Sequence, residues 1–204
     1  MLVGLDFDNT IVSYDDLFHR VAREWDLIPA DLPATKQDVR DFLRRNGQED
    51  RWTEMQGYVY GRRMEEASPF PGVAEFFETC RVKQIPLAII SHKTRYPYRG
   101  PKYDLHTAAR DWLAAQPFVN KAWVEHNVFF ELTKEDKLER IARENCTHFV
   151  DDLPEFLTMP GFPNQTQPIL FSPAPMEVTA AVRIVYSWKD LTTLVTHELR
   201  RLNR

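Results

Sequence analysis

Short apolar runs recur along the chain, each closed by polar or turn-forming residues and most of them followed by a helical pattern. The first, Leu2-Val3-Gly4-Leu5-Asp6-Phe7, reads as a buried strand and gives way to Asp8-Asn9-Thr10, which has the composition of a loop. Further runs of this kind are Pro86 to Ile90, Asn127 to Phe130, Thr147 to Val150, Pro168 to Phe171 and Arg183 to Trp188. Between them, Val73, Phe76, Phe77 and Cys80 recur at helical spacing behind Pro71-Gly72, and Leu138, Ile141 and Ala142 follow Thr133. Alternating strands and helices predict a parallel sheet with helices on both faces, because parallel neighbours need crossover connections. The expected fold is a three-layer α/β/α Rossmann-like core with a mainly parallel sheet.

One segment breaks this rhythm. Residues 13 to about 68 carry no convincing strand but several amphipathic helical stretches. Leu17, Phe18, Val21 and Trp25 form one apolar stripe, and Thr35-Lys36-Gln37-Asp38 resembles a capped start for a second helix carrying Val39, Phe42 and Leu43. The expected organisation is a core of residues 1–12 and 69–204 with a helical insertion, 13–68, after the first strand. Because the insertion leaves the mouth of that strand, where open α/β sheets bind ligands, it reads as an active-site cap. Residues 97 to 127 are long for one crossover; Leu105, Ala109, Trp112 and Leu113 predict a helix there, followed by a loop. A last helix, from about Lys189 to Leu202, ends near Arg200, Arg201 and Arg204, where cations suit the helix dipole.

Composition narrows the class. At 204 residues the chain can bury a real core without a disulfide or metal staple. Its 26 Lys and Arg against 30 Asp and Glu give a net charge of −4, with the signs mixed along the chain, which disfavours a nucleic-acid partner. Cys80 and Cys146 lie far apart with no Cys/His cluster, which argues against a disulfide scaffold or a zinc site and for a reducing, cytoplasmic compartment. The longest apolar runs are too short for a membrane span, and the N-terminus has no basic segment of the signal-peptide kind. No membrane partner is expected, and the oligomeric state is left open.

The chemistry-bearing residues fall at strand ends. Asp6 and Asp8, two apart in extended chain, point to one side and can share a crevice above the sheet. A second acidic pair, Asp151-Asp152, follows the apolar run His148-Phe149-Val150. Several carboxylates converging on one crevice make a hard oxygen site suited to Mg²⁺, which favours a few carboxylates, waters and a phosphate ligand. The implied substrate is a phosphate ester. Ser91, directly after Leu87-Ala88-Ile89-Ile90, places a hydroxyl at a third strand end, and Lys134, just after Thr133 at a helix start, can offset the crowded carboxylates.

In these residues the chain resembles the haloacid dehalogenase (HAD) superfamily of aspartate-nucleophile phosphohydrolases. Leu5-Asp6-Phe7-Asp8-Asn9-Thr10 resembles its first motif, Ile89-Ile90-Ser91 the second, Lys134 with Leu138 and Ile141 the third, and Phe149-Val150-Asp151-Asp152 the acidic fourth. Phe70-Pro71-Gly72-Val73 is a further likeness, and the motifs stand in family order. The resemblance implies that Asp6 is the nucleophile of an aspartyl-phosphate intermediate and Asp8 the general acid and base. It implies Mg²⁺ held by Asp6, the backbone carbonyl of Asp8, and Asp151, with Asp152 an alternate or supporting ligand, and a phosphoryl group oriented by Thr10 and Ser91. The basic residue of the third motif is expected at Lys134, with Lys137 on the same helix as the alternative; Glu155 stands near the acidic pair as another candidate.

Specificity is expected to reside in the insertion and in loops at the strand ends. Arg51 to Arg63 and His92 to Arg99 are rich in aromatic and basic groups, and His92 and Lys93 are candidate phosphate contacts. Trp52, Met55 and Val59 have helical spacing and read as packing residues. The resulting expectation is an Mg²⁺-dependent phosphatase acting on a small phosphorylated metabolite, sugar-like or nucleotide-like. A phosphomutase and a non-catalytic phosphate or Mg²⁺ binding module are the rivals. The general acid at Asp8 disfavours a dehalogenase.

Overall fold

The computed structural model describes residues 1–174 and 182–202; Arg204 lies outside them. Six strands form one fully parallel sheet: β1 (Val3–Leu5), β4 (Leu87–His92), β5 (Val128–Glu131), β6 (His148–Asp151), β7 (Gln167–Phe171) and β8 (Arg183–Val185), in the order β5-β4-β1-β6-β7-β8. The remaining strands, β2 (Val12–Ser13) and β3 (Ser68–Pro69), pair antiparallel as a separate two-stranded ribbon.

Alternation along the strands sends side chains to two cores. Leu87 and Ile89 of β4, Val150 of β6 and Ile169 and Phe171 of β7 join one buried cluster, while Ala88, Ile90, Phe149 and Leu170 join the other. Helices α4 (Val73–Val82), α5 (Leu105–Ala114), α6 (Lys121–Asn127) and α9 (Trp188–Leu202) fill the first; α7 (Lys134–Arg143) and α8 (Pro154–Leu157) fill the second. Helix α4 starts behind Gly72, whose φ of +91° would strain a side-chain-bearing residue and whose Cα closely faces Trp188. The stretch expected as loop after α5 contains α6, started by Asn120, whose side chain accepts the Trp123 N–H at 2.8 Å. Too few apolar positions in that short helix produced a readable period.

Between β2 and β3 the chain forms α1 (Asp15–Glu24), α2 (Lys36–Arg45) and α3 (Glu49–Tyr60), which pack on one another. Thr35 caps α2 by accepting the Asp38 N–H at 3.0 Å. Buried Val39, Leu43, Trp52, Met55 and Val59 belong to the same cluster as Leu5 and Phe7, so the inserted helices share a core with one face of the sheet. Among the described residues no helix is long and apolar enough to cross a membrane.

Candidate active site

The chain runs from β1 outward through β4 to β5, then returns to the other side of β1 at β6, so the crevice beyond β1 lies where the strand order reverses. Leu5 stands in register with Ile89 on one side and Val150 on the other. The Asp6 N–H then donates to Val150 O at 2.8 Å, extending the ladder by one residue and bringing Asp6 beside Asp151. After Asp6 the chain curls: the N–H groups of Ile11 and Val12 both donate to Phe7 O, and Asn9 takes a left-handed φ of 59°. Asparagine tolerates that conformation better than most residues.

Asp6, Asp151 and Asp152 each offer a carboxylate oxygen within 4.8 Å of the others. Between two of them lies Lys137, whose Nζ donates to Asp6 Oδ1 and Asp151 Oδ2, both at 2.6 Å. The expectation for Lys134 is therefore corrected: Lys134 is the first residue of α7, half-exposed, and makes no ion pair with these acids. Lys137 shares the buried face of α7 with Leu138 and Ile141, and its ammonium lies 4.2 Å from the Phe156 ring centroid. Glu155 is exposed and outside the acidic group, whereas Asp152 is inside it.

Burial pushes Asp6 up to about 7; Lys137 opposes this and Asp151 and Asp8 add to it. Burial and the same crowding, from Asp6 and Asp151, hold Asp152 well above the usual carboxylate range. Desolvation works against the Lys137 charge, but Asp151 and Asp6 outweigh it and hold the ammonium well above its ordinary value. Three carboxylates thus stand together with one ammonium paired to two of them, in an all-oxygen donor set. These residues fit a hard divalent cation, which would relieve the repulsion that raises Asp6 and Asp152. Asp6 Oδ2 accepts no hydrogen bond among the described residues, and Asp151 Oδ1 is taken by the Leu153 N–H at 2.9 Å.

Asp8 does not join that acidic group through its side chain. Its Oδ1 accepts from Tyr14 OH at 2.5 Å, and Lys93 Nζ spans both oxygens at 3.0 and 2.7 Å. Burial alone would raise Asp8, but Lys93 and Tyr14 outweigh it and hold the carboxyl below its ordinary value. Lys93 is buried, and its backbone is fixed by Glu131 O and His106 Nε2. Ser91 is buried on the same side of the strand as Lys93. His92, the residue between them, falls on the other side, where its Nε2 meets Leu132 O at 3.1 Å; as a phosphate contact it is displaced by strand alternation. Thr10 is fully buried and its Oγ1 has no hydrogen-bond partner among the described residues.

Three residues of the inserted segment reach the crevice: Tyr14 and Lys36, which the sequence did not single out for the site, and Tyr60, which belongs to the Arg51 to Arg63 stretch expected to hold specificity. Tyr14 bonds Asp8, Lys36 Nζ donates to Asn9 Oδ1 at 3.0 Å, and the Tyr60 ring lies 5.5 Å from the Lys36 ammonium and 5.0 Å from that of Lys93. Burial would lower Lys36, but Tyr60, Asp8 and Asp152 together keep its charge secure. The one available signal was position, since Tyr14 directly follows β2 and Lys36 opens α2. The two stretches expected to hold specificity do meet, at Tyr60 and Lys93 in the crevice and beyond it as a packing interface in which Gly57 of α3 lies against Pro97 and Arg99 pairs with Asp50 at 2.7 Å. Trp52, Met55 and Val59 are buried, as their spacing predicts.

No protein-family model matches the chain, and no curated protein matches it in sequence. Solved structures do match its fold. A predicted phosphatase from Clostridium acetobutylicum is 14% identical, with 96% of this chain and 98% of that one covered at a TM-score of 0.59. A HAD family hydrolase from Deinococcus radiodurans, solved with bound phosphate and sodium, is 14% identical, with 96% and 95% covered at a TM-score of 0.54. A HAD-superfamily hydrolase from Ehrlichia chaffeensis is 14% identical, with 96% of each chain covered at a TM-score of 0.52. Over nearly its whole length, then, the chain has the α/β fold of the HAD-superfamily hydrolases.

Proposed function

We propose that this chain is an Mg²⁺-dependent phosphatase that hydrolyses a small phosphorylated metabolite through an aspartyl phosphate on Asp6. The observation that carries this reading is the pairing of Asp6, with one carboxylate oxygen held by Lys137 and the other unbonded, beside the acidic group it forms with Asp151 and Asp152. The HAD hydrolase fold supports it. Asp6, the backbone carbonyl of Asp8, and Asp151, with Asp152 adjoining, would hold Mg²⁺, which when bound neutralises the carboxylates and draws charge from the phosphoryl oxygens.

In this reading Asp6 Oδ2 attacks phosphorus, the P–O bond to the leaving group breaks, and Asp8 delivers a proton to the departing oxygen. Asp8 then takes a proton from the water that attacks the aspartyl phosphate, releasing inorganic phosphate and restoring Asp6. Lys93 is the shared partner in this cycle. An arriving phosphoryl group competes with Asp8 for its ammonium, and a carboxylate that loses a cation rises toward protonation, as a general acid requires. Lys137 keeps Asp6 oriented and offsets charge. Ser91 and Thr10 orient the phosphoryl group, and the inserted helices serve as the cap over the crevice. The two free cysteines suit the cytoplasm.

The test is phosphate release with Mg²⁺ from a panel of phosphorylated sugars, nucleotides and small acids, beside Asp6→Asn. Wild-type release that EDTA silences, and that Asp6→Asn abolishes because an amide is a poor nucleophile, is the expected result. Near-wild-type turnover by Asp6→Asn would sink the assignment, and isomerised product in place of free phosphate would make the protein a mutase.

A further inference from the structure

Lys36 is an unusual group for its position. It comes from the inserted helices, yet its ammonium sits over the loop between Asp8 and Thr10, half-buried against the rings of Tyr14, Phe18 and Tyr60 at 5.9, 5.6 and 5.5 Å from their centroids. Its hydrogen-bond partner is neutral, the Asn9 side-chain oxygen at 3.0 Å. Among the described residues no carboxylate lies within 4.0 Å of it, whereas the other two lysines of the crevice are fully paired, Lys93 with Asp8 and Lys137 with Asp6 and Asp151. Asp8 and Asp152 both favour its charge without contacting it.

A partly desolvated cation with aromatic walls and no contacting counter-ion is a receptor for an anion. The phosphoryl position at Asp6 already has its own cations, Lys137 and Lys93. We propose that Lys36 is the specificity residue of this site and that the substrate is a phosphomonoester carrying a second anionic group on its leaving portion, which pairs with Lys36 while the phosphoryl group sits at Asp6. The proposal rests on the phosphatase reading and narrows its substrate class. Asn9 aims the ammonium, and the rings of Tyr14, Phe18 and Tyr60 lie beside it. Since Lys36 belongs to α2, such a substrate would also tie the inserted helices to the β1 loop, linking recognition to closure.

The experiment compares binding of methylphosphonate with that of phosphonoacetate and 3-phosphonopropionate, inert phosphonates without and with a carboxylate, by calorimetry in the presence of Mg²⁺. A charge-assisted hydrogen bond predicts that wild-type protein prefers at least one of the two carboxylates by about tenfold or more. Lys36→Met should bring that ratio toward one, and Lys36→Arg should keep most of it. Absence of a preference in the wild type, or an undiminished preference in folded Lys36→Met, overturns the proposal; if Lys36→Met does not fold, Lys36→Gln takes its place and the wild-type ratio still decides. The phosphate-release panel separates the two readings. Hydrolysis of esters without the phosphonate preference removes this inference alone, and the preference without any hydrolysis upholds the anion site while removing the phosphatase.

Discussion

Lys137 is surrounded by two carboxylates at 2.6 Å, and its charge is the one directly offsetting the buried acidic group. Replacing it by Met keeps an unbranched side chain on the buried face of α7 but removes the ammonium that faces Phe149 and Phe156 and leaves Asp6 and Asp151 without their cation. Removing one partner of a buried pair costs about 3–5 kcal/mol, so Lys137→Met should lower the urea midpoint strongly in EDTA and recover part of the loss in Mg²⁺. Lys134→Met, on the exposed first turn, should change stability by no more than about 0.5 kcal/mol. Equal damage from both variants would show that the α7 face has been assigned wrongly. The sequence favours Lys134 and keeps Lys137 as the alternative, because both lie at the start of the same helix. Helical spacing does not separate them, since Lys134 stands four residues before Leu138 as Lys137 does before Ile141; the packing of α7 separates them by burying Lys137.

At the scale of elements, the docking of α3 against the 95–103 loop rests on the absence of a side chain at Gly57. A Cβ there would lie 2.5 Å from Pro97 Cβ and 3.2 Å from the Arg99 carbonyl oxygen. Gly to Ala within a helix ordinarily gains about 0.5–1 kcal/mol, while overpacking costs about 1–3 kcal/mol, so Gly57→Ala should be net destabilising. Denaturant midpoints of Gly57→Ala against wild type check the sign; a more stable variant would mean that the loop yields without cost. The six strands of the parallel sheet were readable because each is a short apolar run ending at a turn, as in Val3–Leu5 and His148–Asp151, whereas β2 and β3, two residues each, carry no such run. Helix α6, with Val124 as its one fully buried residue, was not readable, because a single apolar position defines no period.

The whole molecule should weaken at alkaline pH. Cys80 and Cys146 are buried, and burial pushes both thiols up to about 12 from an ordinary value of 9.0. Between those limits the unfolded chain has lost thiol protons that the native chain keeps, so the contribution of these two thiols is constant below about pH 9 and falls as pH rises above it. The fall is about 1.4 kcal/mol per thiol for each pH unit over that window. Urea midpoints at about pH 8 and pH 10 should therefore diverge, and less so in a Cys80→Ala, Cys146→Ala double variant. Both thiols should also resist alkylation in the native state at neutral pH. Rapid labelling of the native protein would contradict their burial.

What the sequence by itself determined is whatever depends on neighbours within a few residues. Short apolar runs and the 3.6-residue period between them located the parallel sheet and its helices, Thr35 and Thr133 marked helix starts, and Asp6, Asp8, Ser91 and Asp151 were visible as polar residues at strand ends. Only the tertiary structure decided which cations meet which acids. Lys93 reaches Asp8 across 85 residues of chain and Lys137 reaches Asp6 across 131, distances over which no local pattern carries information. Tyr14, Lys36 and Tyr60 became crevice residues because α1–α3 fold back over the β1 loop and share one core with the sheet. A side chain's chemistry belongs to its residue, but its charge state and its partner belong to the packing that removes it from water.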